Sequence, residues 1–160
     1  MAITDRLIHC HEFAAADSIA CYLPMRDEVD PSRIIARAWR AKKRIFCPVT
    51  DIHGGMNFCR LRPDTLLQRN QFGILEPVGE EQIARSGLDL VVTPLVAFDE
   101  ERNRIGMGGG YFDRAFAFLK HRRNWLRPKL IGVAFDCQKV EEIQPNPWDI
   151  RLYRIITESS

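Results

Sequence analysis

The apolar positions of the chain fall into two alternating kinds of segment. Continuous apolar runs of strand length occur at "IACYLP" (19–24), "RIFCPV" (44–49), "LDLVVTPLVAFD" (88–99) and "KLIGVAFD" (129–136). The run at 88–99 is the longest and is split by Pro94. Its first half is too continuous for a half-exposed strand and predicts a central, parallel one. Between the runs, apolar residues recur at helical spacing. In "DPSRIIARAWRAKKR", Ile34, Ile35, Ala38 and Trp39 share one face, while Arg33, Arg37 and Arg40 fall largely elsewhere. Asp30 can cap that helix and Pro31 suits its first position. "ITDRLIHCHEFAAADSIA" predicts an earlier helix, with Ile3, Leu7 and Ile8 at helical spacing. A further helix is expected from about Tyr111 to Arg123, with Phe112, Ala115, Phe116 and Leu119 as its core stripe. "DIHGGMNFCRL" predicts a turn at Gly54-Gly55 and then a strand, and "RLYRIITE" a last strand.

Strands alternating with helices predict an α/β domain with a mostly parallel sheet. A length of 160 residues fits one domain over 1–160. Ligands of such sheets collect beyond the carboxyl ends of the strands. Both "MRDEVD" (25–30) and the glycine loop at 106–110 leave strands in that direction, so they are predicted to share a rim.

Composition narrows the partners. Lys and Arg total 23 against 21 Asp and Glu, a net charge of +2 that does not imply nucleic acid. The cluster "RAWRAKKR" reads as a solvated helix face, because no aromatic-interleaved groove pattern accompanies it. No apolar stretch approaches a membrane span, and "MAITDRLIHCHEF" has neither the basic nor the apolar region of a signal peptide. The five cysteines form no C-x-x-C pair, and Cys21, Cys47 and Cys137 sit in apolar runs where a thiol packs as a small hydrophobe. A reduced, cytoplasmic protein follows. "HCH" at 9–11 is not expected to hold a metal, since positions i and i+2 of a helix diverge.

The chemistry concentrates in "RNRIGMGGGYFDRAF" (102–116), where Gly106, Gly108, Gly109 and Gly110 precede a helix. Consecutive glycines let backbone N–H groups converge on one anion, and phosphate is the natural guest. The spacing fits neither the P-loop nor the dinucleotide fingerprint. A tight turn without a ligand is the other reading. Asp113 is either a first-turn acid stabilised by the helix dipole or, beside a phosphate, a ligand for Mg²⁺.

With those residues in view, "VVTPLVAFDEERNRIGMGGGYFDRAF" resembles the signature of the 5-formyltetrahydrofolate cyclo-ligase (5,10-methenyltetrahydrofolate synthetase) family. "ACYLPMRDEVD", "FGILEP" and "IGVAFDCQKVEEIQPNPWDIRLYRIITE" are similar to other blocks of that family, in order. The resemblance implies a three-layer α/β/α Rossmann-like sandwich of the sugar-isomerase/CoA-transferase type. It implies ATP- and Mg²⁺-dependent conversion of 5-formyltetrahydrofolate to 5,10-methenyltetrahydrofolate, with ADP and phosphate released. It further implies that Arg104, Ile105, Gly106, Met107, Gly108, Gly109, Gly110, Tyr111 and Phe112 bind ATP. Met107 through Tyr111 would also border the folate, with Leu23 and Glu28 at its pterin end, and Asp113 and Asp149 would hold Mg²⁺. No acid or base is assigned. The expected partners are 5-formyltetrahydrofolate and ATP, and the expected state is a monomer or at most a weak dimer.

Family members usually carry a further N-terminal helix whose Lys and Arg meet ATP phosphates, and the chain is expected to lack it. The alternative expectation is therefore a catalytically impaired folate- or nucleotide-binding relative. A sugar-phosphate isomerase or acyl-CoA enzyme on the same fold is a weaker rival. Met107, Phe112 and Leu152-Tyr153 depart from the family's usual residues without removing an implied Mg²⁺ ligand.

Overall fold

The computed structural model describes residues 2–121 and 127–160. The chain opens with helices α1 (Ile3–Ile8) and α2 (His11–Ala15), then strand β1 (Ser18–Cys21), helix α3 (Ser32–Arg40) and strand β2 (Arg44–Thr50). Strands β3 (Met56–Leu61), β4 (Leu67–Arg69), β5 (Leu75–Pro77), β6 (Gln82–Ile83), β7 (Leu90–Thr93), β8 (Ala97–Phe98) and β9 (Arg104–Ile105) follow. Helix α4 (Tyr111–Ala115), strand β10 (Lys129–Val133) and strand β11 (Arg154–Ile156) complete the order.

Seven strands form one sheet in the order β11-β10-β7-β1-β2-β3-β6. The pairs β11–β10, β10–β7, β7–β1 and β1–β2 are parallel, while β2–β3 and β3–β6 are antiparallel. The mostly parallel sheet read from the apolar runs is therefore present, and β7 is central to it. All four of its residues are buried, as a strand covered on both faces requires. Side-chain alternation divides the core between the two faces. Ile19, Cys21, Leu90, Val92, Ile131 and Val133 pack with Leu7 of α1 and Ile34 and Ala38 of α3. Ala20, Phe46, Val91 and Leu130 pack with Ala115, Phe116 and Leu119 on the other face. The result is an α/β fold with a mixed, mostly parallel sheet and helices on both faces.

This arrangement locates the ligand rim. From β1 the chain returns through α3 to β2, and from β7 it returns through α4 to β10, on the opposite face. The strand order thus reverses between β1 and β7, where open α/β sheets bind ligands at the carboxyl ends. Proline is tolerated in β2 for a related reason. The N–H of Arg44 donates towards β1, to Asp17 at 2.8 Å. Alternation points position 48 the same way, beyond the last bridged pair of that ladder, Ala20 and Phe46, so Pro48 stands where the β1–β2 pairing ends.

Several local expectations need correction. The N-terminal helical pattern is two helices, because the Sγ of Cys10 accepts the N–H of Phe13 and starts α2 afresh. Helix α3 begins at Ser32, with the Asp30 carboxylate accepting the Ser32 N–H at 2.9 Å, so Pro31 lies just outside it. The helix expected to Arg123 is α-helical only to Ala115 and continues as a 3₁₀ turn over Ala117–His121, and positions 122–123 lie outside the described residues. The tighter winding brings Phe116 and Leu119, three apart, to one buried line. Cys137 is exposed, whereas Cys59 is buried with Cys21 and Cys47. Among the described residues, no helix is long and apolar enough to cross a membrane.

Candidate functional site

The glycine loop is carried by a small hairpin. Strands β8 and β9 pair antiparallel just beyond β7, and Asp99 closes their turn. The buried Asp99 carboxylate accepts the N–H of Asn103 at 2.9 Å, its amide nitrogen at 3.0 Å and the N–H of Ile143 at 2.9 Å. Burial pushes this carboxyl up, but those hydrogen bonds more than offset it and leave it below the usual carboxylate range. Asp99 therefore fixes the hairpin to the 140s segment and sets where Arg104 and the loop begin.

Residues 106–110 then turn into α4. Gly108 has φ +95° and Gly110, the residue just before the helix, has φ +66°. Both lie in the left-handed region that side chains rarely adopt. Gly109 is constrained differently, since a Cβ there would come within 2.7 Å of the Tyr111 ring. Among the described residues, the amides of 107–110 donate to no protein acceptor. Met107 stands at the tip, 75% exposed, while Ile105 is half exposed and Tyr111 and Phe112 pack against the core.

Arg104 lies beneath the loop with only 5% of its side chain exposed. Its guanidinium is 3.4 Å from Oδ1 of Asp113 and 5.6 Å from the Phe112 ring centre. Burial pushes its pKa down, and the charges of Asp113 and Asp149 oppose that shift. Its Nε is buried without a partner among the described residues. Asp113 Oδ1 also accepts the N–H of Ile150 at 2.9 Å, which draws the Asp149 segment to the start of α4. Asp149 itself accepts the Asn146 N–H at 2.8 Å. The two acids expected to hold Mg²⁺ thus flank one buried arginine. Mg²⁺ needs only one or two carboxylates when phosphates and water complete its octahedron, so this donor set fits the ion. Among the described residues, no group of three or more His, Cys, Asp or Glu could hold a metal by itself.

Glu28 and Leu23 occupy the same rim, in the segment that leaves β1. The buried Tyr22 hydroxyl donates to the Val29 carbonyl and pins the ends of this segment together. Asp27 adopts φ +69° between them. Leu23 packs on the core, and Glu28 is half-buried, which pushes its carboxyl up. Among the described residues, no hydrogen bond or ion pair joins Glu28 or Leu23 to 104–113. The fold places these two groups along one edge, beyond the carboxyl ends of the neighbouring strands β1 and β7.

Two features were not given a role by the sequence. Arg114, directly after Asp113, reaches the Gly54 turn. Glu76 of "FGILEP" is buried and accepts the Thr50 N–H at 2.9 Å and the Asn70 amide at 2.8 Å, tying the β4–β5 hairpin to the end of β2. An acid inside an otherwise apolar motif was the available signal for the second.

A glycine loop entering a helix, two carboxylates and a buried arginine thus meet at the switch point of an α/β sheet, where such folds bind ligands. The model of the 5-formyltetrahydrofolate cyclo-ligase family matches residues 1–158, so the chain belongs to that family. It is 38% identical to the 5-formyltetrahydrofolate cyclo-ligase of Escherichia coli over 152 residues, covering 90% of this chain and 79% of that protein. It is 35% identical to the Haemophilus influenzae cyclo-ligase over 161 residues, covering 97% of this chain and 83% of that one. The structure is similar to that of Aquifex aeolicus 5,10-methenyltetrahydrofolate synthetase, with TM-score 0.80 and 30% identity, covering 99% of this chain and 77% of that chain.

Proposed function

We propose that the chain converts 5-formyltetrahydrofolate to 5,10-methenyltetrahydrofolate with ATP and Mg²⁺, acting as one cytoplasmic domain over 1–160 and as a monomer. The fold it uses is the sugar-isomerase/CoA-transferase-like three-layer sandwich. In the reaction, the formyl oxygen attacks the γ-phosphorus of ATP and ADP leaves. N10 then attacks the formyl carbon, the carbon–oxygen bond breaks, and phosphate departs with the former formyl oxygen. The protein has little covalent chemistry to perform. Its task is to place two substrates in line and offset phosphate charge.

The supporting observation is the juxtaposition of bare loop amides with Asp113, Asp149 and Arg104 in a member of this family. In this reading the backbone of Arg104, Ile105, Gly106, Met107, Gly108, Gly109, Gly110, Tyr111 and Phe112 lines the ATP site. Loop amides donate to phosphate oxygens, and Arg104 supplies fixed positive charge from below. Asp113 and Asp149 hold Mg²⁺, which neutralises phosphate charge when bound. Glu28 hydrogen-bonds the pterin, Leu23 packs beside it, and Met107 through Tyr111 border the folate from the loop side. The test is the absorbance of methenyltetrahydrofolate on mixing protein, 5-formyltetrahydrofolate, ATP and Mg²⁺. Product should form with all components and not without ATP. Intact folate binding with no product would favour the impaired relative instead.

A further inference from the structure

The glycine loop is tied to a second turn, about sixty residues earlier in the chain, by one side chain. Arg114 donates from Nη1 to the Gly109 carbonyl at 2.7 Å. It also donates from Nη2 and Nε to the Gly54 carbonyl, at 2.9 and 3.2 Å. Its guanidinium lies 5.0 Å from the centre of the Tyr111 ring. The planar fork of arginine suits such a bridge, and a lysine could not span both carbonyls in this way.

The receiving turn is built to present that carbonyl. Asp51 Oδ1 accepts the N–H groups of His53 at 2.8 Å and Gly55 at 2.9 Å. Gly54 has φ +81°, and a Cβ on Gly55 would fall 2.3 Å from Asp51 Oδ2. The Asp51 N–H donates to the Gly55 carbonyl, closing the turn onto β2 and β3. The sheet thus fixes the position of Gly54, and Arg114 passes that position to Gly109.

We infer that Arg114 is a positioning residue for nucleotide, and that the 51–55 turn belongs to the same machinery without touching the substrate. The inference rests on the proposed ATP reaction, but the clasp itself can be tested without it. Arg114 is exposed, so its bonds contribute little to global stability. Their effect falls on a loop with few other restraints. A misplaced loop lowers affinity steeply, because amide donors must converge on one phosphate.

The test compares wild type with Arg114→Ala, Arg114→Lys, Asp51→Ala and the double variant Arg114→Ala/Asp51→Ala. The first readout is the backbone ¹⁵N order parameters of 106–110 in the free protein. They should fall in Arg114→Ala and Asp51→Ala alike, with unchanged values in β7. The second readout is the ATP KM, expected to rise about tenfold in each single variant while the folate KM stays within about twofold. Arg114→Lys should recover little, whereas millimolar guanidinium added to Arg114→Ala should restore part of the loss. The double variant should be no worse than either single one, since both break one link. Unaltered loop order parameters in Arg114→Ala, or additive effects in the double variant, would overturn the inference. If wild type makes no product, the ATP reaction fails and the ATP Kd by calorimetry takes the place of KM; a Kd unchanged in both single variants then overturns the role for nucleotide.

Discussion

The Asp113 carboxylate lies 3.4 Å from the guanidinium of Arg104, which is almost wholly buried, and it also accepts the Ile150 N–H. One oxygen therefore links the hairpin, the first turn of α4 and the segment that carries Asp149. Asp113→Asn keeps the shape and one acceptor but removes charge. Stability should fall by ~2 kcal/mol, less than breaking a buried pair usually costs, because Asp149 still offsets the Arg104 charge. At limiting Mg²⁺, turnover should drop at least as far as the ~10-fold loss seen when a metal site loses an outer partner. Excess Mg²⁺ should restore much of it, with folate affinity unchanged. Wild-type behaviour at limiting Mg²⁺ would reduce Asp113 to a helix-start acid.

The loop glycines separate backbone strain from obstruction. Gly109→Val pushes a side chain into the Tyr111 ring and should weaken ATP binding while leaving the melting temperature within a few degrees of wild type. Gly110→Ala forces a Cβ into left-handed backbone and should cost about 1 kcal/mol of stability. Calorimetry with separate nucleotide and folate titrations distinguishes them. Equal ATP affinity in Gly109→Val would remove the loop from the nucleotide site.

Glu28 trades stability against binding. Burial raises its carboxyl pKa in the folded state. Such a group favours folding while protonated, an advantage complete below about pH 4.3 and lost as pH rises through the folded value. At neutral pH the charged carboxylate is therefore a net cost that Glu28→Gln removes. The variant should melt no lower than wild type at pH 7.5, with the difference shrinking towards pH 4. Its folate Kd should rise about tenfold or more, as loss of a charged hydrogen bond worth ~1.5–3 kcal/mol implies, with ATP binding intact. A lower melting temperature with unchanged folate affinity would contradict both parts.

Asp99 shows the opposite sign. Its folded pKa lies below the ordinary carboxylate value, so its stabilisation is present above about pH 3.9 and lost as pH falls through the lower folded value. Asp99→Ala also strands the Asn103 and Ile143 donors and should cost ~3 kcal/mol at neutral pH. Denaturant titrations at pH 7 and pH 3 check this, the gap between variant and wild type being smaller at pH 3.

What the sequence made legible was whatever a short segment decides alone. Leu90 to Thr93 read as a central strand because burial on both faces demands an unbroken apolar run. The Gly54-Gly55 turn and the glycine loop announced themselves through backbone freedom. The break at Cys10 was hidden, since cysteine is an uncommon helix start and the apolar spacing continues across it. The 3₁₀ winding after Ala115 was hidden too, because Phe116 and Leu119, three apart, suit an α-helical stripe as well as a 3₁₀ one. The Arg114 bridge depends on where the sheet places Gly54, and the Glu76 anchor on where β2 ends. Neither relationship exists until the strands are paired.

The most direct measurement follows one oxygen atom. With 5-formyltetrahydrofolate carrying ¹⁸O in the formyl group, ATP and Mg²⁺, the released phosphate is analysed by mass spectrometry alongside methenyltetrahydrofolate absorbance. Phosphorylation of the formyl oxygen predicts one labelled oxygen in each phosphate, and one phosphate for each methenyltetrahydrofolate formed. Unlabelled phosphate, or cyclised product formed without ATP consumption, would contradict the account.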